Sequence, residues 1–251
     1  MKLYTIVLGA GAGKNMTVRA KETLDQCEYI VGYKNFVNLL EVDYMDKKLI
    51  KTDLGNDAEA CHVAMQKTVE GSVTALVLAG DTSVYSTSSL LMDIMLEYPQ
   101  VEIEMIPGVS SVLTGAATLG SPISNDYVVL SLSEQNMTWE IIEHRLMAAV
   151  QGGFVICIHS PVSPGRMDAL RKALRILLWK RKPETICAFV KGAGTWGEKT
   201  VILSLEELFN SIEIDMGTIV YIGNDQTVSV NGKMHTPRGY SDVEALATGI
   251  L

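Results

Sequence analysis

The sequence lacks any long apolar run, any close pair of cysteines and any excess of positive charge. No apolar stretch approaches the roughly 20 residues that a membrane-spanning helix needs, although 47% of the 251 residues are apolar. The opening run Met1–Leu8 is too short for the apolar core of a signal peptide, and glycines follow it at once. We therefore expect a cytoplasmic protein that does not contact a membrane.

The few cysteines and histidines show no metal-binding pattern. The four cysteines lie far apart in the sequence and include no CxxC: Cys27, Cys61, Cys157 and Cys187. This spacing predicts free thiols in a reducing compartment rather than a zinc site or a disulfide framework. The four histidines also lack metal-ligand spacing.

The charge balance disfavours a nucleic-acid partner. The net charge is −8, whereas proteins that bind a phosphate backbone present a basic face. An anionic small molecule stays compatible with this charge, because a local basic cluster can oppose the global sign.

The first half of the chain alternates apolar runs with helical patterns, which predicts an α/β fold with a mainly parallel sheet. The predicted strands are Leu3–Leu8, Tyr29–Gly32, Val73–Ala79 and Val101–Ile106. The predicted helices are Thr17–Gln26, Ala58–Glu70, Ser86–Glu97 and Ser110–Leu119. The uninterrupted apolar run in the third strand is typical of a strand with both faces covered.

The segment Gly120–Ser124 breaks this alternation, so we predict two α/β domains, at 1–118 and 119–251. The predicted strands of the second domain are Tyr127–Leu132, Gly153–His159, Thr185–Lys191, Glu198–Leu203 and Gly217–Ile222. Its predicted helices are Thr138–Ala149, Gly165–Lys180 and Ser204–Phe209, the last with a capping box. Asn231-Gly232 predicts a hairpin within Val228–Met234, and the tail after Tyr240 is expected to be a short helix or a frayed end.

Polar corners that contain glycine follow two of the first-half strands. Gly80 and Asp81 follow one strand, and Pro107–Ser111 follow the next. Ligands bind beyond the carboxyl ends of parallel strands, and glycine lets a ligand approach the backbone. Taken singly, Asp81 is also consistent with a solvated turn residue, and the two serines with helix caps. Their joint occurrence favours a small-molecule site.

The glycine-rich loop Gly9–Lys14 matches neither common phosphate-binding pattern. G-x-G-x-x-G would place its third glycine at Lys14, and G-x-x-x-x-G-K-[ST] would need glycine at Leu8 and a hydroxyl at Asn15. Three interpretations stay open: a structural turn, a ligand-facing backbone loop and the loop of a nucleotide-binding oxidoreductase. The failed spacing disfavours the third.

The order of these segments resembles the tetrapyrrole methylases, the S-adenosylmethionine-dependent enzymes of corrin and sirohaem synthesis. The family's Gly-Asp-Pro-x-x-Tyr-Gly is similar to Gly80–Ser86, its Ile-Pro-Gly-Val-Thr/Ser-Ala to Ile106–Ser111, and its Leu-Gly-x-Pro to Leu119–Pro122. Four further segments resemble the precorrin-3B or cobalt-factor III C17-methyltransferases within the family: Gly32–Lys34, Asp126–Ser133, Ile222–Thr227 and Thr236–Tyr240.

This resemblance implies two domains with S-adenosylmethionine in a cleft between them, a tetrapyrrole substrate and a homodimer. The cofactor-binding residues that it implies are Gly9, Ala10, Ala79, Gly80, Asp81, Val84, Tyr85, Ser110, Ser111, Leu132 and His159. Asp81 and His159 are also the candidate catalytic residues, with Glu134 and Asp126 as further candidates for proton transfer. No protein-held metal is expected, and any cobalt would arrive inside the substrate.

A tetrapyrrole carries many carboxylates, which basic side chains bind. The substrate-binding candidates are Lys14, Lys34 and Arg238, with Arg166 and Lys191 as further basic residues at loops or strand ends. For each of them a solvated surface charge is the competing interpretation.

The chain departs from the family pattern in the glycine loop and in the corner after the third strand. Ala10 replaces the loop proline, Ala12 replaces the loop aspartate, and Thr82, Ser83 and Ser86 replace the usual Pro-Gly and Gly. The lost proline lowers the rigidity of the loop. These departures motivate an alternative hypothesis, a relative that binds the cofactor or a tetrapyrrole without turnover.

Overall fold

The computed structural model describes residues 1–11, 13–133, 137–162, 168–211 and 213–239. The chain divides into two compact units, one formed by residues 1–114 with 194–196 and the other by residues 115–193 with those from 197 onward. Predictions made for Ala12, Glu134, Arg166, Tyr240, the first turn of the helix Gly165–Lys180 and the C-terminal tail lie outside the described residues.

The first unit is built on a five-stranded sheet in the order β3-β2-β4-β1-β5. Its strands are β1 (Lys2–Val7), β2 (Tyr29–Tyr33), β3 (Lys48–Thr52), β4 (Thr74–Leu78) and β5 (Glu102–Ile106). All four pairings are parallel, so the five carboxyl ends meet at one edge. Every residue of β4 is buried, as expected for a strand that has helices on both faces.

Helices on both faces complete the core of the first unit. They are α1 (Val18–Gln26), α2 (Lys34–Asn38), α3 (Asp57–Val69) and α4 (Ser88–Ile94). One apolar cluster places Leu24 of α1 against Ile6 and Val77, and another places Met65 of α3 against Leu3 and Leu76. Thr17 caps the start of α1, because its Oγ1 accepts a hydrogen bond of 3.1 Å from the amide of Ala20.

The second unit contains a mixed five-stranded sheet in the order β10-β9-β11-β8-β7. Its strands are β7 (Tyr127–Ser131), β8 (Val155–His159), β9 (Ile186–Lys191), β10 (Lys199–Ser204) and β11 (Thr218–Ile222). β7 and β8 are parallel, whereas β11 is antiparallel to both β8 and β9. The end of β11 therefore lies at the sheet edge where β7 and β8 begin.

The remaining elements cover this sheet and add a small one. The helices are α5 (Ser111–Leu119), whose middle marks the change from the first unit to the second, α6 (Trp139–Gln151), α7 (Asp168–Lys180) and α8 (Leu205–Asn210). The predicted capping box of α8 is confirmed. A three-stranded sheet joins β12 (Val228–Val230), β13 (Lys233–His235) and β6 (Gly120–Ser121), and it contains the predicted hairpin at Asn231-Gly232. The predicted α/β class with two domains is confirmed.

The described residues contain neither a helix that could span a membrane nor a cluster of side chains that could hold a metal ion. Within residues 1–11, 13–133, 137–162, 168–211 and 213–239, no helix combines the length and apolar character needed to cross a membrane. Among the same residues, no group of three or more His, Cys, Asp or Glu side chains is placed to hold a metal ion.

Candidate active site

Three backbone corners meet at the carboxyl edge of the first sheet. The amide of Gly80 donates a hydrogen bond of 3.3 Å to the carbonyl of Gly9. A Cβ added at Gly108 would lie 2.8 Å from the Gly80 carbonyl oxygen and 2.9 Å from the Gly9 nitrogen. The structure thus brings together the glycine loop and the two polar corners that the sequence marks as a ligand site.

Gly80 has room on the side where a side chain would project. Its φ is +74°, and a Cβ built there would have no atom of the described chain within 4 Å. The backbone at this strand end is therefore open to a ligand, whereas Gly108 behind it is needed for close packing.

Asp81 forms a tight turn with one of its carboxylate oxygens. Oδ1 accepts hydrogen bonds from the amide of Ser83 at 2.7 Å and from that of Val84 at 3.1 Å. Within the described residues, Oδ2 makes no hydrogen bond. The sequence left a turn residue and a ligand-binding residue as alternatives, and this geometry accommodates both roles in one side chain.

Ser110 and Ser111 lie at the start of α5. The Ser110 side chain is buried, and its Oγ accepts a hydrogen bond of 3.3 Å from the amide of Val112. This contact is the capping role that the sequence offered as the alternative to ligand binding. Ser111 is half-buried at the first helical position.

A cavity of about 180 Å³ opens beside this corner within the first unit. Its lining includes Ala79, Tyr85 and Ser86 from the corner, and Tyr33 and Phe36 from the end of β2 and from α2. The Tyr33 and Phe36 rings meet edge to face, with centroids 5.2 Å apart. The cavity is smaller than the roughly 300–1,000 Å³ of a typical small-molecule site, so it fits a part of a ligand.

The glycine loop is held by a residue that the sequence analysis did not select. The Asn15 Nδ2 donates to the carbonyl of Ala10 at 2.6 Å and to that of Gly194 at 3.3 Å. A Cβ added at Gly11 would lie 2.2 Å from the Gly194 carbonyl oxygen. The glycines at 192, 194 and 197, directly after a predicted strand, were the available signal for this second loop.

The candidate substrate-binding cations of the first unit differ in their partners. Lys34 follows β2 and forms an exposed ion pair with Asp53, with 2.8 Å between Nζ and Oδ1. Lys14 is exposed and forms no ion pair with any carboxylate of the described residues. Its Nζ lies 5.6 Å from the ring centroid of Trp196.

In the second unit, Leu132 and His159 occupy neighbouring strand ends. Ser131, which precedes Leu132, pairs in register with His159. Leu132 is buried, and the half-buried His159 ring places Nδ1 3.0 Å from the Ser160 hydroxyl. Burial lowers the pKa of the His159 imidazole below its ordinary value, which favours the neutral ring, a proton acceptor.

Arg238 lies in a segment that is held at a different edge of the second sheet from Leu132 and His159. Its neighbour Thr236 hydrogen-bonds Thr227 at 2.8 Å, and Thr227 follows β11. This turn therefore lies at the opposite edge of the second sheet from His159. The exposed Lys191 pairs with Asp215 at 2.6 Å.

Arg181 holds the turn that follows β11 through hydrogen bonds to main-chain carbonyls. The buried Arg181 donates from one guanidinium nitrogen to the carbonyl of Gly223 and from the other to that of Phe154, the latter at 2.6 Å. Asn224 also donates to the carbonyl of Gly153 at 2.9 Å. The sequence motif of this turn thus connects the ends of neighbouring strands.

The fold has counterparts in known proteins. The family model described as Tetrapyrrole (Corrin/Porphyrin) Methylases matches residues 2–208. The chain therefore belongs to the tetrapyrrole methylase family, whose members are methyltransferases, and the resemblance stated from its motifs is confirmed.

Individual relatives match the chain along most of its length. A protein of Methanocaldococcus jannaschii called "Probable cobalt-factor III C(17)-methyltransferase" is 35% identical over 96% of this chain and 98% of its own length. The Archaeoglobus fulgidus protein "Cobalamin biosynthesis protein CbiHC" is 36% identical over 96% of this chain, but this match covers 53% of that protein. A "Cobalt-factor III methyltransferase" of Priestia megaterium is 34% identical over 95% of this chain and 45% of its own length. The chain thus spans about half the length of the latter two relatives.

Among solved structures, the methyltransferase CobJ superposes with a TM-score of 0.86 at 26% identity, over 94% of this chain and 99% of that one. A cobalt precorrin-4 methyltransferase, CbiF, superposes with a TM-score of 0.72 at 21% identity, over 88% of this chain and 94% of that one. The second likeness supports the fold alone.

Proposed function

We propose that the chain is an S-adenosylmethionine-dependent methyltransferase that methylates C17 of precorrin-3B or cobalt-factor III, with contraction of the ring, in cobalamin biosynthesis. The observation that carries the proposal is the 35% identity to a relative of nearly equal length that bears the cobalt-factor III C17 name. A Sinorhizobium protein named "Precorrin-3B C(17)-methyltransferase", 28% identical over 95% of this chain, supports the same position of methylation. The homodimer and the cytoplasmic location stay predictions from the sequence.

The residues at the edge of the first sheet fit S-adenosylmethionine. When bound, this cofactor supplies a methyl group attached to a positively charged sulfur. The charge makes the methyl group electrophilic without activation by the protein. Gly80 offers open main chain, and Asp81 offers a carboxylate oxygen that accepts no hydrogen bond from the described part of the chain. Oxygens of these kinds stabilise a cationic ligand without removing the electrophilic character of its methyl group. The contribution of the chain to the rate is then mainly alignment and exclusion of water.

His159 is the candidate for the proton transfers that ring contraction requires. Its lowered pKa leaves the imidazole neutral near pH 7, and a neutral ring is ready to accept a proton. The Ser160 hydroxyl at 3.0 Å orients Nδ1. Asp81 is the second candidate, through its Oδ2.

A relative that binds without turnover is the alternative, motivated by Ala10 and Ala12. One contact in the structure supports a catalytically active methyltransferase over this alternative. The Asn15 side chain bonds the Ala10 carbonyl at 2.6 Å, which restrains the loop where the family's proline is missing. Ala12 lies outside the described residues.

A methyl-transfer assay separates the two candidates. The purified chain is incubated with S-adenosylmethionine labelled in its methyl group and with precorrin-3B or cobalt-factor III, and the product is analysed by mass spectrometry. Incorporation of one methyl group at C17 supports the proposal. Binding of both compounds without incorporation would establish the alternative, and preference for NAD over S-adenosylhomocysteine in calorimetry would exclude both.

Two aspartate variants test whether Asp81 belongs to the cofactor site, with calorimetric affinity for S-adenosylhomocysteine as the measurement. Asp81→Asn removes the charge from the free oxygen and should weaken S-adenosylhomocysteine binding about tenfold, since a hydrogen bond to a charged group contributes about 1.5–3 kcal/mol. Asp93→Asn changes an exposed aspartate of α4 and is the matched control. Equal affinities of the two variants would remove Asp81 from the site.

A further inference from the structure

Trp196 is almost wholly solvent-exposed, although its backbone belongs to the first unit. Its side chain is 99% exposed, and the segment Gly194–Trp196 belongs to the unit that contains the glycine loop. A single exposed apolar side chain is common on protein surfaces and is not by itself a site. The contacts around this one are what set it apart.

The backbone next to Trp196 is fixed against the loop that follows β1. A Cβ at Gly194 would lie 2.3 Å from the carbonyl oxygen of Ala10, and a Cβ at Gly11 would lie 2.2 Å from that of Gly194. Asn15 hydrogen-bonds both carbonyls. The indole is therefore presented at the edge of the sheet where the site has its three glycine corners.

A lysine without a carboxylate partner stands beside this indole. The Lys14 Nζ lies 5.6 Å from the Trp196 ring centroid, and within the described residues Lys14 makes no ion pair. In a chain with a net charge of −8, an unpaired cation next to a free aromatic face suits a ligand that is both flat and anionic.

A second exposed tryptophan, Trp179, also has a lysine beside its ring, but there the two residues are neighbours in the sequence. Trp179 is 75% exposed on α7, and the Nζ of the adjacent Lys180 lies 3.7 Å from its ring centroid. These two residues are neighbours in the sequence, so their contact needs no tertiary structure. Lys14 and Trp196 are distant in the sequence and meet only because two glycine loops pack together.

We propose that Trp196 and Lys14 form a substrate-recognition pair, in which the indole stacks on the face of the tetrapyrrole and the ammonium group binds one of its peripheral carboxylates. This inference rests on the proposed function. An aromatic face and an adjacent cation match the conjugated ring and the acidic side chains of such a substrate. The pair contributes to the affinity for the tetrapyrrole and not to that for the methyl donor.

The test compares substitutions at the two tryptophans. Trp196→Ala, Trp196→Phe and Trp179→Ala are titrated with the tetrapyrrole in the presence of S-adenosylhomocysteine, with the tetrapyrrole absorbance as the readout, and are then assayed for methyl transfer. Trp196→Ala should raise the dissociation constant and KM for the tetrapyrrole about five- to tenfold, as loss of an aromatic pair and its buried area predicts. Trp196→Phe should recover most of the affinity, and Trp179→Ala should leave it unchanged.

The lysines provide an independent comparison. Lys14→Gln should raise the dissociation constant for the tetrapyrrole several-fold and make it less sensitive to salt. Lys180→Gln is the matched control and should change neither quantity. In all three variants at Trp196 and Lys14, the affinity for S-adenosylhomocysteine should stay at the wild-type value.

The outcomes separate this inference from the proposed function. Wild-type binding of the tetrapyrrole without methyl transfer overturns the proposed function, while the titrations still decide the role of Trp196. Trp196→Ala within twofold of wild type, or an equal effect of Trp179→Ala, overturns the inference alone. Absence of any tetrapyrrole binding by the wild type overturns both.

Discussion

At the scale of single residues, the site depends on positions where a side chain is missing. Gly108 is surrounded by backbone atoms, so glycine is needed there for packing. Gly80 is different, because its left-handed backbone faces open space. Glycine at that position is required for conformation and leaves room for a ligand.

We predict that Gly80→Ala loses cofactor affinity while Gly71→Ala does not. Both glycines have a positive φ, +74° and +95°, and neither would bring a Cβ within 4 Å of another atom. The two variants should therefore lose similar stability, about 1 kcal/mol, from the left-handed backbone. Calorimetry with S-adenosylhomocysteine should show at least a tenfold loss for Gly80→Ala alone. An equal affinity of both variants would mean that no ligand approaches the backbone at Gly80.

His159 should make the stability of the protein sensitive to mild acid. Its pKa in the folded state is lowered by burial, so below about pH 6.5 the unfolded chain takes up a proton that the folded ring resists. The contribution of the neutral His159 ring to stability is therefore fully present above the pKa of this residue in the unfolded chain. It is lost as the pH falls toward the lower pKa of the folded state. Urea unfolding at pH 7.5 and 5.5 should show a smaller loss of unfolding free energy for His159→Gln than for the wild type.

The exposed His144 of α6 is the control for this effect. His144→Gln should retain the wild-type difference between the two pH values. If His159→Gln also retains it, then protonation of His159 costs the fold nothing, and the case for a neutral ring is lost.

At the scale of elements, the strongly patterned segments could be predicted from the sequence. The uninterrupted apolar run of β4, the Thr17 cap and the capping box at Ser204 each depend on neighbouring residues alone. Several short elements were missed, among them β3, α2 and the two-residue strand β6. β3 (Lys48–Thr52) places lysine at both ends of a two-residue apolar centre, and α2 (Lys34–Asn38) has five residues, too few to show helical periodicity.

The contacts at the candidate site could likewise be predicted only in part. Contacts among Gly9, Gly80 and Gly108 follow from the rule that the carboxyl ends of parallel strands share an edge. The contact of Asn15 with Gly194 joins residues 179 positions apart, and no local pattern encodes it. The position of Arg238 depends on the antiparallel direction of β11, which apolar periodicity does not reveal.

The turn after β11 supplies a prediction about a buried charge. Arg181 bonds the carbonyls of Gly223 and Phe154, so Arg181→Met leaves two acceptors without their donor in a low-dielectric environment. We expect a loss of about 2–4 kcal/mol in the free energy of unfolding. Arg171→Met, at an exposed position of α7, the helix that ends directly before Arg181, is the control and should change stability by less than about 0.5 kcal/mol. Equal urea midpoints for the two variants would show that water replaces the guanidinium at no cost.

At the scale of the whole molecule, each unit has its own buried core and its own pair of thiols. Cys27 and Cys61 belong to the two clusters of the first unit, and Cys157 and Cys187 lie in the sheet of the second. All four are buried free thiols. Burial raises the pKa of Cys27 to about 12, that of Cys61 to about 11 and that of Cys187 to about 12, and it also raises the pKa of Cys157. Since the thiolate is the reactive form, all four should resist alkylation in the folded protein at pH 8.

These thiols make the response of each unit to the cofactor measurable. Most of the predicted cofactor contacts lie in the first unit, and a ligand at 100 times its dissociation constant stabilises the folded state by about 2.7 kcal/mol. In a urea series with iodoacetamide, followed by mass spectrometry of each cysteine peptide, S-adenosylhomocysteine should therefore shift the labelling midpoint of Cys27 and Cys61 to higher urea. Adenosine, which lacks the amino-acid part of the ligand, serves as the control and should give a smaller shift. A shift confined to Cys157 and Cys187 would place the methyl donor on the second unit and contradict the assignment of its main-chain contacts to Gly80 and its neighbours.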